Sequence, residues 1–242
     1  MTVLAVIPAR YASVRFPGKP LAPLAGLPMV VHVLHAAQSA RQVDRVVVAT
    51  EDARVAEAVQ AAGGEAMMTS ASAVSGTDRV AEVARRIPAD VYVNVQGDEP
   101  LMPGENIDLA LAALLEAPER HIATLAYPLP AERSADPNTV KVAVARDGRA
   151  LYFSRSPIPY YRQGEPAYRK HLGIYVFRAE TLHTVAALPP SPLERAESLE
   201  QLRWLEAGQT IWVGDAVGDS IGVDTPADLA EAERSWKKEV IS

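Results

Sequence analysis

The chain has 242 residues, 48% of them hydrophobic, with 24 Lys+Arg against 30 Asp+Glu for a net charge of -6. That is enough sequence for a buried core in one α/β domain, and the acidic balance argues against nucleic acid or an anionic membrane surface as main partner. No cysteine is present, which removes disulfides and thiolate metal sites, and no apolar run approaches the roughly 20 residues that span a bilayer. Residues 1–7 are too short and uncharged for a secretory leader, so the sequence reads as soluble and cytoplasmic.

Hydrophobic runs at 3–7, 45–49 and 91–95 alternate with helical patterns, the sequence form of a doubly wound, mostly parallel sheet. The first run breaks into Pro8-Ala9-Arg10 and continues through Arg15 to Gly18-Lys19, three cations in a loop of small residues at a strand end. Ligands of open α/β sheets sit beyond such ends, so this loop predicts a triphosphate grip; a turn with solvated cations is the plainer alternative. It is neither a Walker loop nor a dinucleotide fingerprint. Pro28 opens a helix with Met29, Val33, Leu34 and Ala37 on one stripe. Val55, Val59 and Ala62 mark a second helix closed by Gly63-Gly64, Val80 to Ile87 a third, and Ile107 to Leu115 a fourth.

Ser75-Gly76-Thr77-Asp78-Arg79 begins the third helix, where free N–H groups and a hydroxyl suit a phosphate or base edge, although a Ser cap alone is commonplace. Residues 91–95 lead into Gln96-Gly97-Asp98-Glu99-Pro100, which reads as a solvated turn or as a strand end delivering Asp98 to the crevice. Asp224, just before a helix with Thr225 as N-cap, Pro226 first and Asp228 third, supplies a second carboxylate, or helix-terminal electrostatics, or both. Two carboxylates facing a triphosphate fit Mg²⁺.

After about residue 120 the pattern turns to β segments at 123–128, 140–145, 150–153 and 172–177, extending the same sheet, with proline-rich connections that suit a cover over a site. A helix is expected over 194–205. Arg155 suits bidentate capture of a carboxylate. His171 and Tyr175, at i and i+4 of a strand, can hydrogen-bond hydroxyls or serve only as structural side chains.

Taken together, these motifs resemble the 3-deoxy-manno-octulosonate cytidylyltransferase family. The resemblance runs over the loop from Ile7 to Leu21, Ser75 to Arg79, Asn94 to Pro100, Leu151 to Arg155, His171 to Tyr175, Pro190 to Glu194, Leu199 to Arg203 and Gly222 to Pro226. It implies a Rossmann-like nucleotidyltransferase fold, with a mostly parallel central sheet, helices on both faces and a small β-rich dimerisation extension. It further implies a single domain over 1–242, its nucleotide part about 1–120 and its sugar and dimerisation part about 121–242. The implied reaction joins CTP and Kdo to give CMP-Kdo and pyrophosphate for lipopolysaccharide assembly, in a cytoplasmic homodimer. By the same resemblance Pro8, Ala9, Arg10, Arg15, Lys19, Ser75, Gly76, Thr77, Arg79, Gln96 and Asp98 bind nucleotide, with Arg10, Arg15, Lys19, Asp98 and Asp224 catalytic. Asp98 and Asp224 bind Mg²⁺, while Arg155, His171, Tyr175, Glu200 and Gln201 hold the sugar acid. Two departures stand out: Leu27 replaces an expected lysine, which lowers the expected triphosphate affinity, and the 160–170 stretch is short. A cytidylyltransferase for sialic acid or amino-Kdo, and a nucleotide-binding regulatory module without turnover, are the alternatives.

Overall fold

The computed structural model describes residues 1–12, 15–73 and 75–241, the side chains of the last four of these excepted. By internal contacts the chain forms two compact units, Met1–Asp108 with Gly218–Ser242, and Leu109–Val217.

In the first unit the elements run β1 (Val3–Pro8), the two-residue strands β2 (Pro23–Leu24) and β3 (Leu27–Pro28), α1 (Met29–Ser39), β4 (Arg45–Thr50), α2 (Ala53–Ala61), β5 (Glu65–Met68), α3 (Gly76–Ala84) and β6 (Val91–Val95). α4 (Gly104–Leu115) spans the boundary between the units. Strands β6, β1, β4 and β5 lie side by side in that order, all parallel. Every residue of β1 and β6 is buried. A parallel strand covered on both faces needs such a continuous apolar run, which is why these two segments were readable as strands. The expected α/β organisation is therefore present.

Local chemistry sets the helix ends. The Asp52 carboxylate caps α2 by accepting from Arg54 N, and Gly63, at φ 77, closes it as Gly64 N donates to Val59 O. Pro28 is the N-cap residue of α1, not its first helical position, because its ψ of 140° keeps it extended in the hairpin that pairs it with Pro23. The helix that begins at Pro226 packs through Ala232 and Leu229 into a cluster with Leu24, Met29 and Val223. That burial returns residues 218–242 to the first unit, and Asp224 with them.

The second unit contains β7 (Ile122–Leu129), β8 (Lys141–Val144), β9 (Ala150–Ser154), β10 (Tyr168–Arg178), α5 (Ala179–Ala186), α6 (Pro192–Glu197), α7 (Gln201–Glu206) and β11 (Ile211–Asp215). β11 pairs parallel to β7, and the β7–β10, β10–β8 and β8–β9 pairings are antiparallel. The single helix expected over 194–205 is two, because Ser198 takes a left-handed conformation at φ 52 and ends α6. β5, α5 and β11 were not anticipated; Glu65–Met68 lacks the two-residue alternation that marks a strand. α8 (Pro226–Ile241) follows in the first unit, and no helix of the described residues is long and apolar enough to cross a membrane.

Candidate active site

The carboxyl ends of β1 and β6 open onto a cleft of about 310 Å³ walled by Pro8, Ala9, Arg10, Arg15, Lys19, Ser75, Gly76, Arg79, Gln96, Gly97, Asp98 and Asp224, with Pro20 and Ala73. The crevice beyond parallel strand ends is where backbone donors and side chains from several loops can converge. Two glycines permit the convergence. A Cβ on Gly97 would stand 2.5 Å from Pro8 O, so only glycine lets the two strand ends approach this closely. Gly18, at φ 74, turns the loop so that its N–H donates to Tyr11 O, and Lys19 then begins a 3₁₀ turn. Ser13 and Val14 of the loop lie outside the described residues.

Asp98 and Asp224 are brought together by backbone, since Val223 N donates to Asp98 O at 2.8 Å. Both carboxylates converge on one ammonium: Lys19 Nζ is 2.8 Å from Asp98 Oδ2 and 3.1 Å from Asp224 Oδ1. Arg15 adds a 2.9 Å contact to the other Asp224 oxygen. Burial on its own disfavours the Lys19 charge, but the Asp98 and Asp224 carboxylates outweigh it and hold its pKa above the ordinary lysine value. For Asp224, burial pushes upward and Lys19 with Arg15 pull harder downward, so its pKa lies below the usual carboxylate value. The donor set fits Mg²⁺: two hard carboxylates already meet around a single cation, here an ammonium, at the wall of the cleft. Among the described residues there is no group of three or more His, Cys, Asp or Glu that could hold a metal ion.

The α3 end of the cleft is more internally committed than its sequence suggested. Ser75 and Asp78 form a reciprocal capping box, with Asp78 N donating to Ser75 Oγ and Ser75 N to Asp78 Oδ2. Thr77 is buried and forms no part of the cleft wall. Arg79 lines the cleft yet is only 2% exposed, its guanidinium 2.8 Å from Glu51 and donating to Thr69 Oγ1. Glu51, which the motif reading missed, also accepts from Tyr11 N at 2.9 Å and so ties the loop after β1 to α3 through Arg79. Its signal was positional: it follows β4 directly, at the same edge of the parallel sheet as Arg10 and Asp98. Arg10 is exposed on the wall. Leu27 lies outside it, lining a different groove with His32, His35 and Trp236.

The proposed sugar residues lie in the second unit. Arg155 Nε, Nη1 and Nη2 donate to the carbonyls of Glu197, Pro137 and Ser198, so three of its five N–H donors are already engaged, two of them bracing the αL turn after α6 and one tying it to Pro137. Lys141 Nζ, fully buried, holds the Arg155 carbonyl. A register shift in β10 brings the His171 and Tyr175 rings to 5.2 Å, although four residues of regular strand cover about 13 Å. Tyr175 packs edge-on against Trp204 of α7, the helix headed by Gln201, while Glu200 precedes it with Oε1 3.6 Å from Arg203. Four of the five therefore gather around residues 197–204, with His171 joined through Tyr175. The Thr124 hydroxyl donates to Ile174 O at 2.6 Å and so accepts from His171 Nε2 at 2.9 Å, which places a ring proton on Nε2. Burial, and secondarily the Lys170 charge, push the His171 pKa down to about 3.

A parallel α/β unit with a cationic cleft and two carboxylates at its strand ends has the architecture of a nucleotidyltransferase, and comparison with known proteins defines the class more narrowly. Residues 4–211 match the family model described as Cytidylyltransferase. The 3-deoxy-manno-octulosonate cytidylyltransferase of Syntrophotalea carbinolica is 50% identical, covering 96% of this chain and 98% of its own. That of Escherichia coli is 47% identical over 97% of this chain and 96% of its own. A solved structure described as CMP:2-keto-3-deoxy-manno-octonic acid synthetase complexed with CTP superposes with a TM-score of 0.93 at 45% identity, covering 99% of this chain and 100% of that one. A cytidylyltransferase from Leptospira borgpetersenii, 17% identical with a TM-score of 0.63, shares the fold. This chain belongs to the cytidylyltransferase family.

Proposed function

We infer that the chain transfers CMP from CTP to 3-deoxy-manno-octulosonate (Kdo), releasing pyrophosphate. The observation that supports this most is the cleft itself: Arg10, Arg15 and Lys19 stand with Asp98 and Asp224 beyond the ends of β1 and β6, in a chain with relatives of that name at 50% and 47% identity over nearly full length.

In this reaction the anomeric hydroxyl of Kdo attacks the α-phosphorus of CTP, the bond from that phosphorus to the bridging oxygen breaks, and pyrophosphate leaves with its electron pair. Both substrates are anions, so charge neutralisation dominates the barrier. Arg10, Arg15 and Lys19 neutralise the triphosphate, and Lys19 and Arg15 take up the charge that grows on the leaving pyrophosphate. Asp98 and Asp224 would hold Mg²⁺, which when bound supplies electrophilic polarisation at the phosphates. The hydroxyl proton passes to water, because the cleft walls carry no histidine among the described residues, and an imidazole with a pKa of about 3, as at His171, is too weak a base. The two remaining N–H donors of Arg155 take the sugar carboxylate, with His171, Tyr175, Glu200 and Gln201 holding hydroxyls. On the same reading the protein is a cytoplasmic homodimer that supplies lipopolysaccharide assembly, for which the family likeness is the support.

The test is pyrophosphate release from CTP with Mg²⁺ across a panel of sugar acids. Kdo is expected to be the preferred acceptor. Turnover confined to sialic acid or amino-Kdo would replace the substrate assignment, and CTP binding without pyrophosphate release with any acid would reduce the protein to a nucleotide-binding module.

A further inference from the structure

The two carboxylates at the cleft are already neutralised from within the chain. Lys19 bridges Asp98 and Asp224, and Arg15 pairs with Asp224. Asp98 and Asp224 are the only acidic side chains among the described residues of the cleft wall. The Lys19 side chain is 12% exposed, so an ammonium pushed off these carboxylates has little water to turn to and needs another anion. We propose that Lys19, assisted by Arg15, is an internal counter-cation holding the place of a divalent ion between Asp98 and Asp224, and that it yields only when a polyphosphate enters, making cation and polyphosphate bind cooperatively.

The charge balance gives the reason. Two carboxylates with two side-chain cations sum to zero. A divalent ion arriving alone adds two positive charges and leaves an ammonium and a guanidinium unpaired beside it, so binding is opposed. A triphosphate arriving with the ion brings the negative charge that Lys19 and Arg15 can transfer to, while the ion takes over both carboxylates. Lys19 is suited to this exchange because its ammonium is a compact point charge on a long flexible stem. Each ligand thus removes the obstacle to the other, a reciprocal coupling between two binding events.

The inference rests on the proposed metal-binding role of Asp98 and Asp224, and the experiment separates the two. Mn²⁺ is titrated into nucleotide-free full-length protein and the free ion is followed by its electron paramagnetic resonance signal. Lys19→Met should bind Mn²⁺ alone at least about tenfold more tightly than wild type, a typical size for such coupling. Arg15→Met, at an arginine side chain that is 60% exposed, should tighten it in the same direction and guards against a folding defect in the first variant. Calorimetric CTP titrations with and without Mn²⁺, corrected for chelation in solution, should show the metal–nucleotide coupling shrinking in Lys19→Met. Unchanged Mn²⁺ affinity in both variants overturns the proposal. If Asp98→Asn still abolishes Mn²⁺ binding in the presence of CTP, the metal site stands and the counter-cation role alone falls; if Asp98→Asn leaves Mn²⁺ binding intact, both fall.

Discussion

His171 should make the stability of this protein steeply dependent on pH in a range where most carboxylates are silent. Its imidazole packs against the Phe153 and Tyr175 rings and donates from Nε2 to Thr124, and its pKa falls from 6.5 to about 3. Above pH 7 both folded and unfolded forms are neutral at this site and it contributes nothing to the pH dependence. As pH falls through 6.5 the unfolded chain takes up a proton that the folded one refuses, so stability is lost, and the loss continues until the folded pKa is reached. Integrating that difference in bound protons, this one residue should remove about 2 kcal/mol between pH 7 and pH 5. His171→Gln retains an N–H donor for Thr124 and carries no titratable group, so its urea-unfolding free energy should fall by about 2 kcal/mol less than that of wild type over the same interval. Equal pH slopes in the two proteins would refute a neutral imidazole at this half-buried site.

Other expectations concern the cleft and its supports. Asp98→Asn and Asp224→Asn should each lower turnover at least ~100-fold with the fold intact, since charge stabilisation of this kind is worth several kcal/mol; circular dichroism with steady-state kinetics checks both halves. Lys19→Ala should depress turnover at saturating CTP and not merely raise KM, because charge on pyrophosphate grows in the transition state; unchanged turnover would confine Lys19 to ground-state binding. Arg155→Ala should weaken use of Kdo while CTP affinity, read by calorimetry, stays level, and should also cost about 1–3 kcal/mol of stability because three carbonyls lose their donor. Gly97→Ala should destabilise by about 1–3 kcal/mol, an overpacking cost against Pro8 O, measurable as a lowered urea midpoint.

Three of the four parallel strands of the first unit, β1, β4 and β6, were legible because buried parallel strands are apolar on both faces and read as apolar runs, which β5 does not. Helix ends were legible where their chemistry is local, as at Gly63-Gly64 and at Thr225, whose N–H donates to Asp228 while its hydroxyl accepts from Asp228 N. The break at Ser198 was hidden, since nothing about a serine between Glu197 and Leu199 announces a left-handed residue; the Arg155 guanidinium donates to the carbonyls of Glu197 and Ser198 from far away in sequence. In the cleft, residue types at strand ends pointed to Arg10, Lys19 and Asp98, but pairing did not follow from type. That Arg79 spends its charge on Glu51, and that Lys19 sits between two carboxylates, are facts of three-dimensional proximity. Likewise the approach of His171 to Tyr175 depends on a register shift that no periodicity reveals.

The central claim, that the anomeric oxygen of Kdo attacks the α-phosphorus of CTP, is tested most directly by oxygen labelling. Purified protein is incubated with CTP, Mg²⁺ and Kdo carrying ¹⁸O at the anomeric hydroxyl, and the products are examined by mass spectrometry and ³¹P NMR. The label should appear in the bridge between sugar and phosphorus of CMP-Kdo, with pyrophosphate unlabelled and formed in equal amount. Label lost to water, label in pyrophosphate, or no CMP-Kdo at all would contradict the account.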